Sequence, residues 1–234
     1  MKPTTYSKIQ MFGAWCGVGY IVAILVGWAM AAGFFPPHSP SASATDIAAI
    51  FQTDYTRIRI GMVMVMFSAL IFIPFAALFA QYIAKVEGRI GILTISATLG
   101  AAGNMMLTFY PAIWWLTAAF RPDRPVELIY LMNDMSWLQF IGGVSIYLAM
   151  PLSLMVAAFC DTSATPVFPR WSAFATLILV VIGLPDQLLF FFHTGPFSWM
   201  GIFGLYVPVG AFCVWFFLVV HLLRQEILRE RAAA

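Results

Sequence analysis

Polar positions along this chain are confined to short joints between long, almost uncharged runs. The runs cover residues 11–35, 61–83, 90–120, 131–160, 171–192 and 197–223. As a helix rising about 1.5 Å per residue, each is long enough to cross a hydrocarbon layer about 30 Å thick. Barrel strands are not expected, because the strict alternation they need is absent and lipid offers backbone N–H and C=O groups no partner. The pattern predicts an all-α polytopic helix bundle with six transmembrane helices, a single transmembrane domain over residues 1–234. One joint departs from it. In the loop 36–58, apolar residues recur at Ile47, Ile50, Phe51, Tyr55 and Ile58 behind the candidate caps Ser43 and Thr45. That spacing predicts an amphipathic helix lying in the interface, either a lid over the bundle or a surface connector.

Composition narrows the class. Of 234 residues, 62% are apolar and 9% charged, against about 25% charged in soluble domains. The net charge is +2 with no basic run, so a nucleic-acid partner is not expected. The positive-inside rule orients the spans. Lys2, Lys8, Lys85, Arg89, Arg170, Arg224, Arg229 and Arg231 fall on one side, and Arg57, Arg59, Arg121 and Arg124 on the other. The first side is therefore read as cytoplasmic, with both termini there. The first run is too long for the h-region of a signal peptide and is read as a retained span.

Packing and turn signals follow. Pro74, Pro151 and Pro208 each interrupt an even-numbered span, which suggests three hairpins with kinked returning arms. Gly13 and Gly17 form a GxxxG pair, and Ser96, Gly100 and Asn104 share a face of the third span. Both read as close helix contacts, within the monomer or between two copies.

Polar groups inside spans carry the functional signal, because a carboxylate there costs a few kcal/mol on insertion scales. Asp134 and Asp186 are the two such acids, and so the candidate catalytic residues. Around them, in what is read as the outer half of the bilayer, fall Asn104, Tyr110, Trp114, Trp115, Asn133, Trp137, Gln139 and Gln187, with Arg57 and Arg59 entering the second span. Asn104, Tyr110, Trp114, Asn133, Trp137, Gln139, Gln187 and Arg57 are the candidate binding residues. Two plainer readings stand beside a site: the acids pair with Arg57, Arg59 or Arg124, and the tryptophans form an interfacial belt. A second helix, starting near Pro125 with Asp123 as its cap, would lead straight into Asn133 and Asp134. On the cytoplasmic side the tail from Arg224 reads as a solvated helix end.

No metal or cofactor is implied. Cys16, Cys160 and Cys213 are widely spaced and read as packing residues, and His38, His193 and His221 do not pair across the bilayer. The stretch 46–61 ending Thr56-Arg57-Ile58-Arg59-Ile60-Gly61, Leu131-Met132-Asn133-Asp134 with Trp137, Pro166-Val167-Phe168-Pro169-Arg170-Trp171, and Thr194-Gly195-Pro196-Phe197-Ser198-Trp199 together resemble a group of six-span bacterial inner-membrane proteins. The resemblance covers most of the chain. It implies an architecture and a bacterial inner membrane, and carries no activity or site residue. Three functions remain open. The first is binding of a membrane lipid or lipophilic small molecule, or docking in a larger membrane complex. The second is acid catalysis by Asp186 or Asp134 on a terpenoid or sterol-like substrate, of the isomerase or cyclase type. The third is a small transporter, ranked last because no polar series runs through both leaflets.

Overall fold

A computed structural model describes residues 3–121 and 123–233. Lys2, used in the orientation count, and Pro122, in the joint before the fourth span, lie outside them. The described residues contain helices and no strands. Six helical stretches are long and apolar enough to cross a membrane: Thr5–Ala31, Tyr55–Glu87, Ile92–Phe120, Val126–Cys160, Arg170–Phe190 and Ile202–Ala233. Six crossings leave both ends of the chain on one face of the bundle. The opposite end is called distal below.

The spans are built from α1 (Pro3–Ile24), α3 (Tyr55–Glu87), α4 (Ile92–Phe120), α5 (Val126–Gly142), α6 (Ala149–Cys160), α7 (Arg170–Gly183) and α8 (Val207–Ala233), with α2 (Ala44–Thr53) lying in the first distal loop. Each span packs on the next in sequence, and α8 packs back on α1, closing a ring. Helix boundaries run past the apolar runs, because Arg57, Arg59 and Lys85 are helical and extend their charges beyond the ends of α3. Such flanking charges reach the interface while their stems stay on the helix.

Close approaches in the ring use the glycines. A Cβ on Gly13 would lie 3.0 Å from the Pro74 carbonyl oxygen, and one on Gly17 would lie 2.6 Å from the Phe75 ring. The GxxxG pair thus seats α1 on α3 within the monomer. Gly100 meets the start of α6, 2.4 Å from the Met150 nitrogen.

The expected threefold proline pattern dissolves into different local roles. Pro74 lies inside an unbroken α3. Pro151 and Pro208 fall in the first turns of α6 and α8, just after the irregular turns Gly143–Ser145 and Ile202–Tyr206 that break the fourth and sixth spans. The amphipathic loop helix is shorter than its periodicity suggested. Ser43 caps α2 in a reciprocal capping box with Asp46, and Ile47, Ala48 and Phe51 are buried, chiefly against α5. The chain breaks at Asp54, so Tyr55 and Ile58 belong to α3. Likewise α5 starts after Pro125 with no side-chain cap. Asp123 therefore does not cap it, although α5 does run on into Asn133 and Asp134.

The terminal end is more ordered than a solvated tail. Lys85 Nζ lies 2.9 Å from Glu226 and 2.6 Å from Glu230, and Arg229 lies 3.1 Å from Glu226. The Tyr82 hydroxyl donates to Glu230 at 2.9 Å. Glu226 and Glu230 sit one turn apart on one face of α8, which lets both reach the same lysine at the end of α3.

Candidate functional site

The polar residues that sequence depth placed together separate into a distal cap, a mid-bundle centre and a lipid-facing face. The arginines are settled first. Arg57 donates from Nε to the Ala31 carbonyl at 3.0 Å and from Nη2 to Met30 at 3.1 Å. Its guanidinium lies where a side chain on Gly33 would stand, and Gly33 itself has φ +73°. Arg59 donates to Ala119 and Phe120, and Arg124 to Thr117. These carbonyls belong to the distal ends of the first and third spans, where a helix C-terminus leaves acceptors free and favours positive charge. Among the described residues neither Asp134 nor Asp186 forms an ion pair, so the pairing expected from sequence is not the one adopted.

The distal cap is an aromatic core centred on Trp137, which is completely buried. Its ring lies 5.2 Å from Trp115, 6.0 Å from Trp28 and 6.2 Å from Phe34, and it stacks on Trp199 at 6.1 Å with planes 7° apart. His38 packs edge-on to Phe34 at 4.7 Å, and its carbonyl accepts the Trp199 indole N–H at 2.8 Å. Burial among these rings pushes the His38 imidazole down to about 4. These tryptophans are interior residues, whereas the belt reading placed them at a lipid interface. Asn133, one turn before Trp137, is buried with no hydrogen-bond partner for either side-chain atom, and the indole N–H groups of Trp28, Trp115 and Trp137 likewise have none. Asp134 is half-buried on the neighbouring face of α5. Trp114 donates to Gln139 at 3.1 Å beside this core.

The mid-bundle centre forms among spans that lose regular α geometry; the first span ends in a π-helical segment, Leu25–Ala31, whose Leu25 lines one of the clefts. The fourth span breaks after Gly142 into a 3₁₀ turn, Gly143–Ser145, and resumes as α6. The fifth tightens into a 3₁₀ segment, Leu184–Phe190, with Pro185 at its start. The sixth begins as a π-helical turn, Ile202–Tyr206, before Pro208 and α8. Non-helical backbone at membrane depth is tolerated where protein buries it or a cavity adjoins it; here Val144 and Asp186 border cavities. Gln187 Nε2 donates to the Gly142 carbonyl at 2.9 Å and to Asp186 Oδ1 at 2.8 Å. Asp186, 1% exposed, stands on the shared wall of two apolar clefts. One, of about 70 Å³, lies between Tyr20, Leu107, Phe140, Pro208 and Phe212; the other, of about 50 Å³, lies between Tyr147, Leu179, Pro208, Phe212 and Trp215. Asn104 is fully buried and does not line the cleft itself; its Nδ2 donates at 3.0 Å to the hydroxyl of Tyr20, which does.

Asp186 thus adjoins the clefts with Gln187 bonded to it, Asn104 reaches the first cleft only through Tyr20, and Asn133, Trp137, Trp114 and Gln139 lie in or beside the cap. Tyr110 joins neither. It is exposed on a separate apolar groove between α3 and α4, beside Phe67, Leu70 and Phe109. Sequence reading did not name Tyr20, Phe140, Pro208 or Phe212 as cleft residues. Gly142-Gly143, Gly183 before Pro185, and Pro208 are the breaker signals that mark the level where space opens. Among the described residues no three His, Cys, Asp or Glu side chains gather as a metal site requires. No family model, curated protein or solved structure matches the chain.

Proposed function

We propose that this integral membrane protein binds a slim lipophilic molecule in the paired clefts about Asp186. The observation carrying the reading is a carboxylate 1% exposed that adjoins two apolar cavities and has only Gln187 as a hydrogen-bonding side chain. A polar group kept at such depth is by default functional, and ligand sites in bundles combine apolar walls with few polar groups. The cleft volumes favour one unbranched chain with a small head. They lie well under the roughly 300 Å³ at which sites for bulky ligands begin, which weighs against a fused-ring substrate and hence against a sterol or terpenoid cyclase. The test is photolabelling of the full chain in nanodiscs with a diazirine-bearing C12 alkyl probe. Labels on Tyr20, Phe140 or Phe212 are expected, with a several-fold loss in Val209→Trp, which fills the first cleft. Labels scattered over the lipid-facing groove at Phe67 and Phe109, unchanged in that variant, would sink the reading.

The proposed setting is a bacterial inner membrane with both termini cytoplasmic. Support comes from the eight-to-four distribution of Lys and Arg and from the motif resemblance. A reporter joined after the last residue should be active only in its cytoplasmic form, and the reverse result would invert the bundle.

A further inference from the structure

We infer that the ligand of the Asp186 clefts is a lipophilic cation: a primary alkylammonium or an amphiphile with a comparably small cationic head. The inference rests on the cleft reading above and names the chemistry of its head group. A carboxylate this deep is strongly disfavoured as an anion unless a positive charge accompanies it. Among the described residues none is supplied. No Lys, Arg or His lines either cleft, and Arg57, Arg59 and Arg124 are committed to helix-end carbonyls. Lys85 and Arg229 are tied to Glu226 at the terminal end. The other titratable groups facing the clefts are Tyr20, Tyr147 and Cys213, none of them cationic.

The walls fit the same occupant. Phe140, Phe212 and Tyr20 line one cleft with Asp186, and Tyr147, Phe212 and Trp215 line the other; aromatic rings attract cations most strongly when desolvated. Gln187 holds one carboxylate oxygen and has its own second donor directed to the Gly142 carbonyl, so Asp186 is oriented and not neutralised. A merely hydroxylated chain would be served by Asn or Gln at this position without the burden of a buried acid. A small ammonium head matches the narrow volume, and its alkyl chain matches the apolar remainder.

The test compares two photoreactive C12 probes of equal length, one ending in an amine and one in a hydroxyl, on the full chain in nanodiscs, with partition into empty nanodiscs subtracted. At neutral pH the wild type should take up the amine at least about tenfold better at Tyr20 and Phe212, the scale of a desolvated charge pair supported by aromatic rings. Asp186→Asn keeps the acceptor for Gln187 and should abolish that preference while leaving the hydroxyl probe unaffected. The wild-type ratio stands on its own should the variant fail to fold. Equal labelling of the clefts by both probes overturns the cationic assignment and leaves the lipophile site intact. Absence of both probes from the clefts removes the site itself.

Discussion

The distal cap and the Asp186 clefts carry similar polar groups and differ in the space around them. In the cap, Trp137 is walled by Trp28, Phe34, Trp115 and Trp199, and the orphaned indole and Asn133 groups lie inside packed rings. At the clefts, the first, fourth and fifth spans depart from α geometry, with Leu25, Val144 and Asp186 on the walls, and the side chains nearby do not close the gap. Unpaired polar atoms are therefore more numerous where the interior is full. A site needs polarity and volume together, and in this bundle the backbone breaks supply the volume.

Truncating the two centres should separate them. Trp137→Ala removes the hub of the cap and should lower stability by about 3–5 kcal/mol, the usual range for a fully buried aromatic. Thermal unfolding in detergent would read this, and a loss under about 1 kcal/mol would mean that the cap is not a close-packed unit. Asp186→Asn should change stability by no more than about 1 kcal/mol, since it removes an acid without a cationic partner and keeps the bond to Gln187. A large loss in this variant would instead make Asp186 part of the scaffold and erase the contrast.

A smaller effect concerns acid. His38 is held down to about 4 in the folded cap, against about 6.5 in an unfolded chain. Between these values the unfolded state binds more protons, so stability should rise as pH increases from about 4 to 6.5 and be flat for this group above it. Protection of the amides in the 36–43 loop, taken relative to the intrinsic exchange rate at each pH, should fall on acidification across that window in the wild type and much less in His38→Gln. The cleft residues should show no matching His-dependent change, because no histidine lines them.

Much of the architecture was legible in the residue pattern. Runs of apolar residues report a membrane span directly, because the bilayer imposes both length and internally bonded backbone on whatever crosses it. Ser43 and the apolar stripe Ile47, Phe51 announced α2 for an equally local reason. Asp186 stood out by its cost alone. Its neighbours did not, since Tyr20 and Phe212 belong to the first and sixth spans and nothing in either run marks them as facing an acid in the fifth. Counting residues at 1.5 Å each also merged Asn133 and Asp186 into one cluster, because depth is a single coordinate and says nothing of position around the ring. The arginines misled for a related reason. Their charge pointed to the acids, while the acceptors they found, the carbonyls of Met30, Ala31 and Ala119, have no signature in side-chain sequence.

The sequence by itself determined that this chain is a six-span helix bundle and that two acids, Asp134 and Asp186, fall at a costly depth, since both follow from transfer of local segments out of water. Only the tertiary structure decided that the tryptophans interlock as a sealed cap, that the arginines close helix ends, and that two apolar clefts flank Asp186. Those outcomes depend on which faces of distant spans meet, and on helix irregularities from separate spans falling beside the same clefts.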